Sequence, residues 1–413
     1  MSILRPFAAV RPKSEYAASV AALPYDVMNS KEAARMAEGN PYSFLHVDKA
    51  EIDLPEGTDI YSDAVYAKAA ENLNKLVTDG ICIQEDSACL YLYRQVMNGR
   101  PQTGIVGCAS IDDYLNNVIK KHEHTRADKE ADRICHVDVC NANTGPIFLC
   151  YSRNAAVDGI IDRYLATEPL YDFTTTDGIR NTVWKIADRA DIDILTESFA
   201  KIPALYIADG HHRCASAVKV GLQRRAENPD YTGEEEFNFF LAVCFRADEL
   251  EIFDYNRLLK DTNGLTEDEL LARLSVIFTI EEEKQAYKPV ERHNFGLYLN
   301  KKWYSLTLKD GICDENDPVA SLDVSVLQDY CIDPVFDIED PRTSERIDFV
   351  GGIRGLEELE RRCEEDAVCA FSMYPTSLEE LMRIADAGEI MPPKSTWFEP
   401  KLLSGLFIHK LSD

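Results

Sequence analysis

The alternation of apolar and polar positions along the chain predicts helices interleaved with strands. The first fifty residues are broken by Pro6, Pro12 and Pro24 and contain a short helix near Lys31–Glu38. Between Tyr61 and Gly80, Ala64, Ala67, Ala70, Leu73 and Leu76 recur at helical spacing. Ala88–Arg94 and Thr103–Ala109 read as strands joined by Asn98-Gly99, a pair suited to the positive φ of a tight hairpin turn. The polar stretch Asn116–Arg133 reads as a helix, Pro146–Tyr151 and Val183–Ile186 as strands, and Ile192–Ala200 as a helix. Phe239–Phe245 is a strongly apolar strand, and Thr266-Glu-Asp-Glu269 is a capping box that opens a helix over Leu270–Ile277. A hairpin over Phe295–Leu308 follows. Beyond it, strands at Ile347–Val350 and Val368–Met373 alternate with helices at Leu356–Cys363 and Leu378–Ala387. The mixture predicts an α+β (mixed α/β) protein. At 413 residues the chain is too long for one core. The pattern divides it into residues 1–262, a middle α+β region with the hairpin over 263–345, and a C-terminal α/β segment over 346–413.

Charge narrows the classes of partner. Seventy-two acidic residues against 44 basic ones give a net charge of −28, which repels nucleic-acid backbones, so any anion site must be a local basic pocket. No apolar run approaches membrane-spanning length, and Met1-Ser-Ile-Leu-Arg-Pro-Phe7 lacks a signal-peptide pattern. A cytoplasmic location is therefore expected. The twelve cysteines lie mostly in apolar runs without a Cys-x-x-Cys pair, as reduced buried thiols do. Cys135-His136 with Cys140 lacks a fourth zinc ligand at suitable spacing.

Two stretches carry candidate chemistry. In Ala204-Leu-Tyr-Ile-Ala-Asp-Gly-His-His-Arg213 an apolar strand runs into Asp209, Gly210, His211, His212 and Arg213, and helical spacing resumes at Cys214. A glycine at a helix start allows close backbone approach, and the free N–H groups there attract phosphate. Arg213 can fork onto phosphate oxygens, and Asp209 can hold a cation. The plainer reading is an N-capping aspartate with surface histidines. The turn lacks the Lys-Ser/Thr ending of a Walker loop, and the chain has no nucleophile-elbow serine or protein-kinase motif set.

In Lys120–Arg133, a helix would place His122, Arg126, Lys129 and Arg133 on one stripe, with Glu123 and Glu130 beside it. Like charges at these spacings repel by roughly 0.2–0.5 kcal/mol per pair, and a polyanionic ligand would relieve that. A solvated surface helix is the plainer alternative. His122-Glu123-His124 is not the zinc-protease spacing. Lys394 and Thr396, after Pro392-Pro393 and with Lys401 nearby, are weaker anion candidates, and Tyr25 and Asp26 sit in a polar-aromatic turn suited to a substrate pocket.

Taken together, Arg5-Pro-Phe7, Pro24-Tyr-Asp-Val27, Lys121–Arg126 with Lys129-Glu130 and Asp132-Arg133, Ala208–Arg213, Tyr255-Asn-Arg257, Pro393–Thr396 and Pro400-Lys401 resemble the family catalogued as domain of unknown function 1015. Cys214 departs from that pattern, standing where an aromatic residue is expected. The Asp-Gly-His-His-Arg element is also similar to the phosphate-gripping turn of the ParB/sulfiredoxin-like fold, which implies such a core in residues 1–262, elaborated by further α/β elements. His211 occupies the place of sulfiredoxin's cysteine, so sulfinic acid repair is not implied. The superfamily includes free serine kinases. The resemblance therefore implies phosphorylation of free L-serine with pyrophosphate, ADP or ATP as donor.

The expected activity is phosphoryl transfer to a small hydroxyl acceptor, which needs donor neutralisation, in-line positioning and a base. Phosphate gripping falls to Gly210, His212, Arg213, His122, Arg126, Lys129 and Arg133, with Lys394 and Thr396 returned to the site by the C-terminal segment. Glu123 is the expected base, with Glu130 in reserve. Asp209 and His211 complete the catalytic set, and Tyr25 and Asp26 line the substrate. Mg²⁺ is the expected cofactor, held by Asp209 and Glu130. Small molecules, rather than nucleic acid or membrane, are the expected partners, and a homo-oligomer is compatible with all of this. The rivals are a phosphate- or pyrophosphate-bond hydrolase, a nucleotide-binding regulatory module without turnover, and an interaction protein.

Overall fold

The computed structural model describes residues 1–412 as a mixed α+β protein, built as two compact bodies. The first comprises Met1–Lys121, Thr125–Leu250 and Pro400 onward; the second comprises His122–His124 and Glu251–Glu399.

A nine-stranded sheet organises the first body. Its strands are β1 (Leu4–Arg5), β2 (Leu90–Met97), β3 (Arg100–Ser110), β4 (Ile119–Lys120), β5 (Ile147–Tyr151), β6 (Tyr171–Thr174), β7 (Arg180–Ile186), β8 (Leu205–Asp209) and β9 (Phe239–Arg246). They lie in the order β4-β8-β5-β9-β3-β2-β7-β6, with β1 on the free end of the long β3. The β4–β8 and β5–β9 pairs are parallel and the others antiparallel. Asn98 and Gly99 make the predicted turn at φ 52° and 78°. All of Phe239–Phe245 is buried, because β9 lies inside the sheet.

Five long helices flank the strands: α1 (Asp63–Thr78), α2 (Ala127–Cys140), α3 (Ala155–Leu165), α4 (Arg189–Phe199) and α5 (His211–Glu227). Leu92, Ile105, Leu149, Ile207 and Ala242 of the sheet form one core with Ile160, Leu195, Phe199 and Val218 of α3, α4 and α5. Burying each large apolar side chain contributes roughly 1.5–3 kcal/mol. In α1 the predicted stripe is rotated. Val65, Tyr66, Ala69, Leu73 and Leu76 are buried, whereas Ala64 and Ala67 face solvent, because larger side chains gain more from burial.

The second body holds a six-stranded antiparallel sheet of β10 (Tyr255–Leu259), β11 (Phe278–Glu283), β12 (Asn294–Leu299), β13 (Lys302–Leu308), β14 (Ile347–Gly351) and β15 (Cys369–Ser372), in the order β11-β13-β12-β15-β10-β14. The helices α6 (Glu267–Leu274), α7 (Asp323–Leu327), α8 (Leu356–Glu365) and α9 (Leu378–Ala387) accompany it. Thr266 and Glu269 form the predicted capping box. Residues at the two ends of this stretch pair with each other, Ile252 with Phe398 and Phe253 with Trp397. A division at 262 and 345 cuts through this sheet, because β10 pairs with β14 and β15 across about a hundred residues of chain. Such pairing leaves no local signal.

The charged stretch before α2 departs from the sequence reading. Ile119–Lys120 is a strand, residues 121–126 are irregular, and the helix starts only at Ala127. His122 and Arg126 therefore share no helical stripe with Lys129 and Arg133. Nor are Arg126, Lys129 and Arg133 left in repulsion, since each has its own partner nearby, as described below.

Candidate functional site

In the first body, β8 delivers the Asp209–Arg213 turn. The register between β8 and β5 shifts between Ile207 and Asp209, a bulge that re-aims the strand end. Gly210 then takes φ 91°, a backbone state that strains other residues, and a Cβ there would lie 3.2 Å from Arg213 Nε. α5 starts at His211 without a side-chain cap, so its first N–H groups and the positive end of its dipole face an anion-receptive space.

Each side chain of the turn has a distinct environment. Asp209 accepts the Gly210 N–H at 2.8 Å and lies 3.1 Å from Lys401 Nζ. Burial would raise its pKa, but the fields of Lys401 and Arg213 hold it far below the carboxylate range. Burial pushes the His211 imidazole down to about 4, against a weaker upward pull from Asp209. His212 is lowered by burial as well, and its Nε2 accepts the Arg126 N–H at 3.0 Å, which leaves the ring proton on Nδ1. Arg213 donates from Nη1 to the Pro146 carbonyl at 2.6 Å, while its buried Nε has no hydrogen-bond acceptor. Burial disfavours its charge, but the fields of Asp26, Asp209, Tyr25 and Asp48 outweigh that and keep it cationic.

α2 brings a second guanidinium, this one buried, to the same place. Arg133 donates to Asp132 at 2.9 Å, and its Cζ sits 4.0 Å from the centroid of the Tyr25 ring. Tyr66 holds the other Asp132 oxygen at 3.0 Å. Tyr25, Asp48, Arg133, Thr144, Gly145 and Arg213 all line one cavity of about 30 Å³. That space holds roughly two waters, the scale of phosphoryl oxygens rather than a nucleotide. Tyr25, Asp26, Arg133, Asp209, Gly210, His212 and Arg213 all belong to the first body.

Other predicted residues are engaged elsewhere. Arg126 forks onto Asp128 at the surface, and Lys129 donates to the Tyr61 hydroxyl at 3.0 Å. Glu130 accepts from Thr125 Oγ1 at 2.6 Å and pairs with Lys219 of α5. Burial works against its ionisation, but these two partners hold it below the usual carboxylate range, which suits neither a base nor a free metal ligand. His122 and Glu123 belong to the three-residue segment grouped with the second body, where the His122 carbonyl accepts the Met391 N–H at 2.8 Å. Lys394 and Thr396 also belong there. Lys394 has φ 60°, its carbonyl accepts from Arg257 and its Nζ is 5.4 Å from the Tyr255 ring. Sequence reasoning passed over Asp48, Asp132 and Thr144 as site residues, and Lys401 was noted only as a cation for anions. Pro400-Lys401 is a signal that could have paired with Asp209; Asp48 and Thr144 carry none.

The neutral burial of His211 has a pH consequence. The unfolded imidazole takes up a proton below about pH 6.5 and the folded one only near 4, so the unfolded state binds more protons in that window. Stability falls as pH drops from about 6.5 toward 4, by about 1 kcal/mol per pH unit from this group. Urea titrations at several pH values are expected to show a shallower loss in His211→Gln than in the parent chain.

Comparison with known proteins decides the family. The family described as a protein of unknown function (DUF1015) matches residues 4–325. The chain belongs to the DUF1015 family. No curated protein matches it. Among solved structures, this DUF1015 protein is similar to a mutant free serine kinase in complex with ADP, at 14% identity and TM-score 0.37 over 71% of this chain and 87% of that one. A conserved hypothetical protein from Pyrococcus furiosus is similar at 15% identity and TM-score 0.36, over 76% and 96% of the two chains. SbnI with a C-terminal truncation, from Staphylococcus aureus, is similar at 10% identity and TM-score 0.38, over 72% and 85%. Among the described residues, no helix is long and apolar enough to cross a membrane.

Proposed function

We propose that this DUF1015 protein is a phosphotransferase that grips the phosphates of a small donor at the Asp209–Arg213 turn and phosphorylates a small hydroxyl acceptor, free L-serine. The observation that carries the reading is Arg213: a half-buried cation whose Nε is buried and unsatisfied, beside a glycine, at an uncapped helix start. A phosphoryl oxygen would supply the missing acceptor. Arg133, fixed by Asp132 and Tyr25, offers a second guanidinium on the same cavity.

In the proposed reaction the serine Oγ attacks the terminal phosphorus of the donor. A new P–O bond forms, the bond to the leaving phosphate or nucleotide breaks, and the hydroxyl proton passes to a carboxylate base. Arg213, Arg133 and the α5 N-terminus stabilise the charge that shifts to the leaving oxygen. Tyr25 and Asp26 border the acceptor. His211 is neutral at working pH and acts as a packed, uncharged wall of the turn. Arg126 and Lys129 of the first body remain proposed contacts for a longer polyphosphate. Mg²⁺ is assigned to Asp209, which is ionised and partly exposed and would share its oxygens between the ion, Lys401 and the Gly210 N–H; Glu130, held by both Lys219 and Thr125 with less of its side chain exposed, suits the ion less. When bound, the ion would neutralise donor charge. Its abundant grips and small cavity favour pyrophosphate over ADP or ATP as donor.

The test incubates purified protein with Mg²⁺, L-serine and each donor separately and follows O-phosphoserine by phosphorus NMR. Product is expected with one donor, and Glu123→Gln is expected to slow its formation by about 10²–10⁴-fold while donor binding persists. Phosphate release without O-phosphoserine would replace the kinase with a hydrolase. An unchanged rate in Glu123→Gln would remove it from the base role.

A further inference from the structure

The second body holds a cluster that the phosphoryl-transfer reading does not use. His293 stands just before β12 at φ 64°, held by its N–H to both Asp323 oxygens at 2.9 and 3.1 Å, and by its carbonyl to the Leu308 N–H at 2.9 Å. Both its ring nitrogens are sealed from solvent. Nε2 lies 2.9 Å from Glu315 Oε1, and Nδ1 lies 3.0 Å from Asp323 Oδ1. Cys313 Sγ is 3.5 Å from the same Glu315 oxygen. One donor atom each from His293, Cys313 and Glu315 falls within 4.8 Å of the other two.

We infer that His293, Cys313 and Glu315 form a zinc site, with Asp323 as the carboxylate that orients the imidazole. Ligand bonds of about 2.0–2.3 Å in a tetrahedron put ligand atoms roughly 3.5 Å apart, so the observed separations need only small shifts to close on one ion. A nitrogen, sulfur and oxygen donor set suits zinc and disfavours magnesium or calcium, which take oxygen alone. A carboxylate at the second ring nitrogen is the usual companion of a zinc-bound histidine; it keeps the proton on Nδ1 and turns the Nε2 lone pair toward the ion. The ordinary alternative is an imidazolium between two carboxylates. In that arrangement the half-buried thiol donates to Glu315, whereas one ion would take a donor atom from all three residues at once. Three protein ligands leave a fourth position for water. The consequence is structural: the ion ties the irregular Gly311–Ser321 stretch to the start of β12 and to α7, which Asp323 begins.

The inference is independent of the kinase reading and its test reads no turnover. Full-length protein stripped of metal is titrated with Zn²⁺ and with Co²⁺. A single equivalent is expected to bind, Zn²⁺ is expected to raise the melting temperature, and Co²⁺ to produce a thiolate-to-metal charge-transfer band. Cys313→Ser is expected to abolish the band and weaken Zn²⁺ by about tenfold or more. His293→Asn, chosen because asparagine tolerates positive φ, is expected to weaken Zn²⁺ similarly. Cys135→Ser, at the exposed cysteine of the first body, is expected to change nothing. Absence of stoichiometric binding, or an undiminished band in Cys313→Ser, overturns the site. Should His293→Asn fail to fold, Cys313→Ser alone decides.

Discussion

Arg213→Ala is expected to lower kcat/KM for phosphoryl transfer by about two to three orders of magnitude, with far less effect on folding. The large figure follows from position. Arg213 is a half-buried cation whose buried Nε is left for a ligand, so its removal takes away a charge-assisted contact partly screened from water. The small figure follows from what it does for the fold, which is one hydrogen bond to the Pro146 carbonyl, worth about 1–3 kcal/mol with its charge, beside a field on Asp209 that Lys401 also supplies. Arg213→Lys restores charge without the fork and is expected to recover only a minor part of the rate. Steady-state kinetics beside thermal melts separates the two effects. A lysine variant within threefold of the parent would mean that Arg213 acts as a diffuse charge and not as a fork.

Asp209→Asn is expected to destabilise the protein by roughly 2–3 kcal/mol, less than a fully buried pair because Asp209 keeps a quarter of its side chain exposed. The loss arises on the partner's side. Lys401 is nearly buried, and without Asp209 its ammonium has lost the carboxylate that offsets its desolvation. Lys401→Met added to Asp209→Asn is expected to regain much of the stability, and urea unfolding of both singles and the double gives the coupling. Additive losses would show that the two residues act independently. Sign matters here: the depressed Asp209 pKa means its stabilising charge is present above the unfolded carboxylate pKa and lost as pH falls toward the folded one. Activity is expected to fall in both backgrounds, since neutral residue 209 no longer suits a cation.

Much of the fold is legible in local pattern. The Asn98-Gly99 hairpin, the capping box at Thr266 and helix Leu378–Ala387 all fall where residue chemistry puts them. The Asp209–Arg213 turn is legible too, because strand, glycine and helix start are adjacent in sequence. What failed was the helix over Asn116–Arg133. Polar residues without apolar spacing fit a surface helix and an irregular loop equally well, and the decision came from Ile119–Lys120 pairing with β8 more than eighty residues away. The carboxylates around the arginines were illegible for a related reason. Asp48 and Thr144 bond each other at 2.9 Å from distant parts of the chain, and neither stands in a distinctive local setting.

All of the second body except His122–His124 is inserted between Leu250 and Pro400, and the two ends of that stretch pair through Ile252–Phe253 and Trp397–Phe398. That clasp makes it a tether of fixed span for the chain that must return with Lys401. If the insertion melts, its ~150 residues become a slack loop whose closure costs the first body on the order of 4 kcal/mol. An ion that stiffens the Gly311–Ser321 stretch would, by the same route, lend stability to a phosphate grip with which it shares no atom.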